Sequence, residues 1–434
     1  MSIMERLASA DDLKIVTEPR SREFVSTPAL AGKRAGMVVF SSYPADPRPR
    51  RAIEALLKEG MSIDLVCRGD KNEPKRESLD RLEISRIPIR HSRAGKLYYA
   101  YQYALFILVS TWMFAVRAIR NRYDLIYVHN MPDVLVLASI IPKALGAKVI
   151  LDQHDPMPEL MMTIFNSDER SCSVRLITWL EQWSVGRVDL VLTVNDACKR
   201  IFGRRSCPPE KIGVVMNCPD ASIFPFRAAR DCPPHNSSKP FTIMYHGSLV
   251  ERNGLDLAVN ALEIVRNTIP SLELRIYGRH TPFLDRIMDR VGERGLTDCV
   301  RYMGSKSLEG LVNEIAACDV GVIPNHRNPF TEINTPTRIF EYLALGKPVV
   351  APRTPGIQDY FTDDFLFFFE SGDAADLARE LCEVYADPDR AVTITERGQQ
   401  VYLDHLWSEE SRNLVNLVGG LLEGDRRLHE RSCN

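Results

Sequence analysis

The sequence lacks several patterns that would assign it to a protein class directly. Its ten cysteines are scattered, without a C-x-x-C pair or the cysteine–histidine spacing of a zinc site, which favours free thiols in a reducing compartment. The net charge of −2 gives no electrostatic argument for nucleic acid as a partner. The first residues are charged and do not resemble a signal peptide. We therefore expect a cytoplasmic protein that does not bind nucleic acid.

Two further patterns are missing. No G-x-G-x-x-G follows the first predicted strand, where residues 41–43 are Ser-Ser-Tyr, so a nicotinamide-type dinucleotide site is not supported. His154 lies between Asp152 and Asp155, which predicts that its protonated form is favoured. No second histidine lies nearby at a metal-binding spacing. We predict neither a metal nor a cofactor.

The length of 434 residues predicts two or three domains. Residues 1–33 are polar and aperiodic, which predicts a loosely held extension. Short apolar runs then alternate with helix-length segments in two blocks, separated by a proline-rich linker. We place the N-terminal domain at residues 34–225, the linker at 226–240 and the C-terminal domain at 241–405. Short buried strands alternating with helices predict an α/β protein with a parallel, doubly wound sheet in each domain.

Ligands of open parallel sheets bind at the carboxyl ends of the strands, so the residues that follow each predicted strand are candidates for a site. They include Ser42, Arg68, His129, His154, Asn195, His246, Gly247, Gly278, Gly304 and Asn325. Polar residues and glycines at so many strand ends indicate a cleft between two facing sheets. A structural role is the alternative for each histidine taken alone. In the segment HGSLVERNG, Gly247 allows close backbone approach and Arg252 could reach a phosphate.

Residues 333–352, INTPTRIFEYLALGKPVVAP, predict a helix followed by a buried strand. Thr335 is the expected N-cap, with Pro336 at the first helical position. Arg338 and Glu341 are three residues apart and share a helix face. A helix N-terminus and an arginine attract phosphate, and a carboxylate can accept both hydroxyls of a ribose. This predicts a nucleotide diphosphate site, and a surface ion pair between the two side chains is the alternative.

Residues 97–116, LYYAYQYALFILVSTWMFAV, contain no charged residue and reach the length of about 20 residues that crosses a bilayer. Basic residues flank the segment on both sides, which suits a helix at a membrane surface. A true span would separate the strand predicted at residue 125 from its sheet, and a buried domain helix is the other alternative. We predict a partly exposed helix that touches lipid.

The motifs TPTRIFEYLALGKPVV, YVHNMPD, LDQHDPMPE and HGSLVERNG resemble those of family 4 glycosyltransferases of the GT-B fold, of the bacterial surface-polysaccharide type. The resemblance spans about residues 37–422 and implies two Rossmann-like domains facing a cleft, with residues 406–434 forming a helix that crosses back to the first domain. It also implies that Glu341, the second glutamate of an E-x7-E motif, binds the ribose. The first glutamate of that motif is replaced by Ile333, and Glu332 is one position out of register.

The resemblance implies retaining transfer of a sugar from a nucleotide diphosphate donor to a glycan acceptor, which we expect to be lipid-linked. No metal is needed on this scheme, because arginine meets the diphosphate. The predicted catalytic residues are His154, Arg252 and Glu332. The predicted substrate-binding residues are Ser42, His129, Gly247, Arg252, Gly278, Asn325, Thr337, Arg338 and Glu341. We expect a cytoplasmic protein that is peripheral to the inner membrane. The alternatives are a nucleotide-sugar 2-epimerase and a non-catalytic subunit that binds nucleotide or membrane.

Overall fold

The computed structural model describes residues 30–70, 73–89, 96–236 and 238–432 of the protein. Most of the predicted extension at residues 1–33 therefore lies outside the described residues. The described chain contains two α/β halves, each built on its own sheet and its own apolar clusters. The predicted fold class is confirmed.

The N-terminal sheet has eight strands in the order β3-β4-β2-β1-β5-β6-β7-β8. All neighbouring strands are parallel except the hairpin of β3 and β4. The central strands are buried apolar runs, as a sheet covered by helices on both faces requires. The strands are β1 Arg34–Ser42, β2 Ser62–Gly69, β3 Arg76–Leu79, β4 Leu82–Pro88, β5 Leu125–His129, β6 Lys148–Gln153, β7 Leu190–Thr193 and β8 Ile212–Val214.

Six α-helices cover the two faces of this sheet within the described residues. They are α1 Pro47–Lys58, α2 Lys96–Arg120, α3 Ile140–Ala144, α4 Met157–Phe165, α5 Cys172–Val185 and α6 Asp196–Arg205. Asp46 caps α1, because its side chain accepts a hydrogen bond from the backbone N–H of Arg48. Asn195 caps α6 through the N–H of Cys198. Both caps follow strand ends and so lie at the carboxyl edge of the sheet.

The C-terminal sheet has six parallel strands in the order β11-β10-β9-β12-β13-β14. The strands are β9 Phe241–His246, β10 Leu272–Tyr277, β11 Val300–Gly304, β12 Val320–Val322, β13 Val349–Pro352 and β14 Phe367–Phe369. The helices are α7 Leu255–Val265, α8 Pro282–Glu293, α9 Leu308–Ala317, α10 Thr337–Ala344, α11 Pro355–Gln358, α12 Ala374–Ala386, α13 Pro388–Asp404 and α14 Trp407–Ser432.

Two segments connect the halves. Around the predicted linker, Arg227 donates its backbone N–H to the carbonyl of Ala344, and Ala229 donates to Gln399 Oε1, so this part of the chain is held against the C-terminal half. The final helix α14 returns to the N-terminal half, where Leu414 and Val418 are buried in the cluster that contains β1, β2 and α1.

Helix α2 is partly exposed. Among the described residues, 100–120 form the one helix that is long and apolar enough to cross a membrane, with 28% of its apolar window buried. Phe106 and Phe114 are fully buried against the sheet, whereas Leu108 and Trp112 are 68% and 67% exposed. One side of the helix is therefore part of the domain core and the opposite side is an exposed apolar stripe.

Candidate functional site

His246, at the end of β9, joins the sheet to helix α10. Its Nε2 lies 2.6 Å from Glu341 Oε2, and its Nδ1 lies 2.8 Å from the hydroxyl of Tyr342. The Tyr342 hydroxyl in turn donates to the carbonyl of Met244. Tyr342 is fully buried and Glu341 has a side chain 15% exposed. The carboxylate is therefore held in one orientation at the carboxyl edge of the C-terminal sheet.

Arg338 lies beside this group but contacts different atoms. Its guanidinium donates to the carbonyl of His246 at 2.8 Å and to Asn325 Oδ1 at 3.1 Å, and it stacks over the ring of Tyr245. The described side chains of Arg338 and Glu341 do not form the surface ion pair that was the alternative interpretation. Arg338, Asn325 and Glu341 are thus brought together, as a nucleotide diphosphate site requires.

Two glycines allow the backbone to approach this guanidinium. Gly247 has φ +130° and lies against the Arg338 side chain, where an added Cβ would come within 3.3 Å of Cδ. An added Cβ on Gly278 would lie 2.3 Å from the Gly247 carbonyl oxygen, which no side chain can tolerate. Both predicted glycines therefore lie at the edge that also holds Glu341.

The start of α10 differs from the prediction. Pro336 is the N-cap and Thr337 the first helical residue, while the hydroxyl of Thr335 donates to the carbonyl of Gly356 at 2.6 Å. Thr335 therefore does not cap the helix. No side chain caps the first turn, whose N–H groups can bind an anion. Thr337 lies at the domain junction, where its hydroxyl donates to the Asn217 carbonyl at 3.5 Å.

Arg252 lies in the short helix Glu251–Asn253, between β9 and α7. Its guanidinium lies over the ring of Phe330, 5.8 Å from the centroid, and its backbone carbonyl accepts from His326. The structure thus places Arg252 in the loop beside the segment that contains Asn325, though it gives no contact between the Arg252 and Arg338 side chains.

Ile333, which replaces the first glutamate of the E-x7-E motif, lies at a contact between the domains. Ile333 is 8% exposed and belongs to an apolar cluster of the N-terminal half, and its carbonyl accepts a hydrogen bond of 2.8 Å from Asn195 Nδ2. Glu332, predicted to be catalytic, is instead ion-paired with Arg327 at 2.5 Å. An isoleucine suits this position because a carboxylate would be desolvated there without a partner.

At the carboxyl edge of the N-terminal sheet, Asp152 forms a buried ion pair with Arg48 at 2.6 Å and accepts from the Tyr127 hydroxyl at 3.0 Å. Burial raises the pKa of Asp152, but Arg48 and His129 outweigh burial and hold this pKa well below its usual range. Arg48 also donates to Asn217 Oδ1 at 2.9 Å. The carboxylate oxygens of Asp152 are therefore already engaged in contacts within the protein.

The two histidines of this edge differ from their predictions. His129 is fully buried, with its ring centroid 4.6 Å from that of Tyr127, so its side chain has no surface for a substrate. Burial lowers the pKa of His154 despite the charges of Asp155 and Asp152. The two acids raise the pKa of His154 as predicted, but desolvation of the cation outweighs their attraction, so the protonated form is not favoured overall.

The fold brings His129 next to Asp152 and His154, with one ligand atom of each within 4.8 Å of the others, in a geometry that a metal could use. This proximity was not visible in the sequence spacing. However, the Asp152 carboxylate is taken by Arg48, whose charge repels a cation. The residues present therefore fit a metal poorly.

A pocket of about 240 Å³ lies at the same edge. His154 lines it, and Ser42 supports it by accepting from Arg68 Nη2 at 3.0 Å. A larger cavity of about 480 Å³, lined in part by His235 and Lys347, lies where the chain enters strands β9 and β13. It is therefore at the amino edge of its sheet, away from Glu341.

Comparison with known proteins now identifies the family. A sequence model described as "Glycosyltransferase Family 4" matches residues 50–223, and one described as "Glycosyl transferases group 1" matches residues 230–401. The chain belongs to the family 4 glycosyltransferases. This confirms the predicted family and the predicted class of enzyme, whereas the bacterial surface-polysaccharide type stays a prediction.

Curated relatives match this glycosyltransferase over part of their length. Glycogen synthase from Mycobacterium tuberculosis is 27% identical over 187 residues, which are 42% of this chain and 42% of that protein. The amylovoran biosynthesis glycosyltransferase AmsK from Erwinia amylovora is 24% identical over 39% of this chain and 41% of its own. The matches thus span about two fifths of these relatives.

Solved structures share the fold over most of the chain. Sucrose-phosphate synthase from Thermosynechococcus elongatus has a TM-score of 0.71 at 18% identity and covers 90% of this chain and 100% of its own. Anabaena HepE in complex with UDP-glucose has a TM-score of 0.66 at 15% identity and covers 89% and 99%. At these identities the likeness shows the fold, and the fold is GT-B.

Sequence reasoning left two members of this site out of the predicted set. His246 was noted as a strand-end histidine but not selected, and Tyr342 was not considered. The signal for His246 was its place between β9 and Gly247. Nothing in the sequence indicated Tyr342, because its role depends on a contact made across 96 residues.

Proposed function

We propose that this glycosyltransferase moves a sugar from a nucleotide diphosphate donor to a lipid-linked glycan acceptor, with retention of the anomeric configuration. The observation that carries the proposal is the convergence of Glu341, Arg338 and the uncapped start of α10 at the carboxyl edge of the C-terminal sheet. The HepE complexes with UDP and UDP-glucose, in a protein of the same fold, support the donor class.

Each of these groups has a place in donor binding. Glu341 uses Oε2 for His246, and within the part of the chain that the structure describes its Oε1 has no hydrogen-bond partner. That oxygen can accept from the ribose hydroxyls. Arg338, with Arg252 and the N–H groups at Thr337, meets the diphosphate, because a guanidinium and a helix N-terminus both stabilise phosphate charge.

The transfer step follows from these positions. The bond between the anomeric carbon and the diphosphate oxygen breaks, and its electron pair goes to the diphosphate, whose charge Arg338 and Arg252 stabilise. The acceptor hydroxyl oxygen bonds to the anomeric carbon on the same face, and its proton passes to the departing diphosphate. His154, neutral and at the opposite edge of the cleft, positions the transferred sugar.

We also propose that α2 places the enzyme on the cytoplasmic face of the membrane, where a lipid-linked acceptor is found. The support is an exposed apolar stripe that runs the length of the helix, made of Tyr101, Leu108, Trp112 and Ile119. Helix α3 packs against α2 and adds exposed Ile140 and Ile141. Arg120 and Arg122, both exposed at the end of the helix, suit anionic headgroups.

A role in surface polysaccharide synthesis is part of the same proposal and is supported by the similarity to AmsK, an amylovoran biosynthesis enzyme. One experiment separates the proposed transferase from an epimerase or a non-catalytic subunit. The protein is incubated with a panel of nucleotide sugars, alone and with membrane extract. For a transferase, we expect the donor to be consumed, and its sugar to appear in the lipid fraction, only when extract is present. Epimerised donor without extract, or no change in either incubation, would contradict the proposal.

A further inference from the structure

The pocket of about 240 Å³ at the carboxyl edge of the N-terminal sheet lies apart from Glu341 and Arg338, and of its lining the proposed donor site uses only His154. It is enclosed by the ends of β1, β2, β5 and β6 and by one residue of α2. Its lining includes Phe40, Ser41, Asp46, Arg68, Tyr103 and His154. This edge faces the same cleft as Glu341, because the carboxyl ends of both sheets meet at the junction around Asn217.

Hydrogen-bond donors without partners converge on this pocket. Arg68 gives Nη2 to Ser42, but its Nε and Nη1 are buried and have no partner within the described chain. The Ser41 hydroxyl and His154 Nδ1 are also buried and unpartnered there. Buried polar groups in folded proteins are nearly always hydrogen-bonded, so this many open groups around one pocket indicate a ligand.

The charge of Arg68 identifies the kind of ligand. Two buried arginines of the N-terminal half have acidic partners in the protein: Arg48 pairs with Asp152 at 2.6 Å, and Arg86 pairs with Glu77 at 2.7 Å. Among the described residues Arg68 forms no ion pair. A half-buried guanidinium with two open N–H groups is costly unless an anion meets it, and its planar fork fits phosphate oxygens.

We propose that this pocket binds a phosphate group of the acceptor, with Arg68 and Ser41 as its ligands. The proposal rests on the proposed function, since it assigns part of the substrate of that same cleft. Asp46 and Asp155 also line the pocket. Their carboxylates accept hydrogen bonds from the hydroxyl groups of the sugar attached to that phosphate. Tyr103, a residue of α2, forms part of the pocket wall. The phosphate can belong either to a lipid-linked diphosphate at a membrane surface or to a soluble sugar phosphate.

The test uses inorganic pyrophosphate as the probe and isothermal calorimetry as the measurement. Arg338→Gln serves as the background, because it weakens pyrophosphate binding at the donor site. In that background we expect one remaining pyrophosphate site. Adding Arg68→Gln should weaken it by about tenfold or more, since hydrogen bonds to charged groups are among the stronger ones.

Arg81→Gln is the matched control. Arg81 immediately precedes β4 at the opposite edge of the same sheet, so this variant should leave the remaining site unchanged. Arg68→Lys keeps the charge and should retain more affinity than Arg68→Gln. Equal affinities for Arg68→Gln and Arg81→Gln would overturn the proposal, as would equal losses for Arg68→Lys and Arg68→Gln, because the second result points to a structural role.

Two more probes distinguish the sources of the phosphate. Geranyl diphosphate represents the lipid-linked source, glucose 1-phosphate the soluble one, and methyl α-glucoside is the uncharged reference. Stronger binding of either phosphate compound than of the glucoside supports the pocket and names its source. If neither phosphate compound binds more strongly than the glucoside, the proposal is overturned. The binding of UDP and GDP to wild type is measured in parallel. If neither nucleotide binds, the donor site is contradicted, while the pyrophosphate result at Arg68 still stands on its own.

Discussion

Glu341 Oε2 lies 2.6 Å from Nε2 of His246, which ties helix α10 to the end of strand β9. The same imidazole contacts Tyr342 through Nδ1, so one buried ring fixes two neighbouring side chains of the helix. A carboxylate held in this way does not have to be ordered when ligand binds, which favours affinity. The contact is therefore the central element of the donor site that we propose.

His154→Ala should lower kcat by about a hundredfold while the nucleotide Kd stays within a few-fold, because a misplaced sugar slows transfer without loosening the nucleotide. Burial lowers the pKa of His154, so the neutral form persists to lower pH. The rate should therefore show no step at the ordinary histidine value of about 6.5. Steady-state kinetics across pH check this. Equal losses in kcat and nucleotide affinity, with a lower Tm, would instead indicate a structural role.

Ile333→Glu would complete the E-x7-E pattern, yet we expect it to destabilise the protein by about 2 kcal/mol or more, because the carboxylate would be buried at the domain contact. Ile333→Leu is the control and should cost less than about 1.5 kcal/mol. Denaturant unfolding measures both. Wild-type stability together with raised turnover in Ile333→Glu would show that this position tolerates the family's glutamate.

Asp152→Asn should destabilise the N-terminal half by about 3–5 kcal/mol at pH 7, because Arg48 would remain buried and unpaired. The folded pKa of Asp152 lies below its unfolded value of about 3.9, so its contribution is present above that pH and is lost as pH falls through the folded pKa. Urea unfolding should show a difference in the free energy of unfolding between wild type and variant. This gap should narrow below about pH 4. Asp80→Asn, at a side chain 86% exposed, is the control. A gap that does not change with pH would contradict the ion-pair account.

Leu108→Glu with Trp112→Glu should release the protein from anionic vesicles in a flotation assay while nucleotide affinity is unchanged, because the two side chains lie on the exposed stripe of α2. Leu308→Glu, at an exposed position of the C-terminal half, is the matched control and should float like wild type. Phe106 is a poor target, since it is fully buried and a glutamate there would disrupt the core. Wild-type protein that never floats with vesicles would contradict the membrane proposal.

The strands were predictable because buried parallel strands are continuous apolar runs. Leu125–His129 and Leu272–Tyr277 are two such runs, and each forms a strand. The hairpin of β3 and β4 was missed because its exposed outer strand, RESL, is polar. β8, Ile212–Val214, was also missed. The start of α10 was predicted one residue early, since the Thr335 hydroxyl has a tertiary partner that no local pattern shows.

The candidate site was predictable only in part. Arg338, Glu341, Gly247 and Gly278 could be selected because they follow strands or begin a helix. The pairing of His246 with Glu341 joins residues 95 apart, and the burial of His129 depends on the ring of Tyr127. The lowered pKa of His154 was mispredicted because sequence shows neighbouring charges but not desolvation. Contacts and burial, rather than residue types, were the missing information.

The central claim is that Glu341 binds the ribose of the donor, and a double-mutant cycle tests it most directly. Glu341→Gln keeps the shape but loses the charge, and the loss of hydrogen bonds to a charged group predicts a nucleotide affinity lower by about 2–3 kcal/mol, or about 30- to 150-fold. Its Tm, measured alongside, separates a binding defect from an effect of the lost contact with His246.

The decisive measurement is the calorimetric Kd of a 2′,3′-dideoxy nucleotide diphosphate, compared with that of the parent nucleotide, on wild type and on Glu341→Gln. The account predicts that the dideoxy compound binds wild type poorly and loses little further affinity on the variant, because both changes remove the same hydrogen bonds. If the two losses simply add, Glu341 does not touch the ribose, and its contact with His246 serves only to hold the fold.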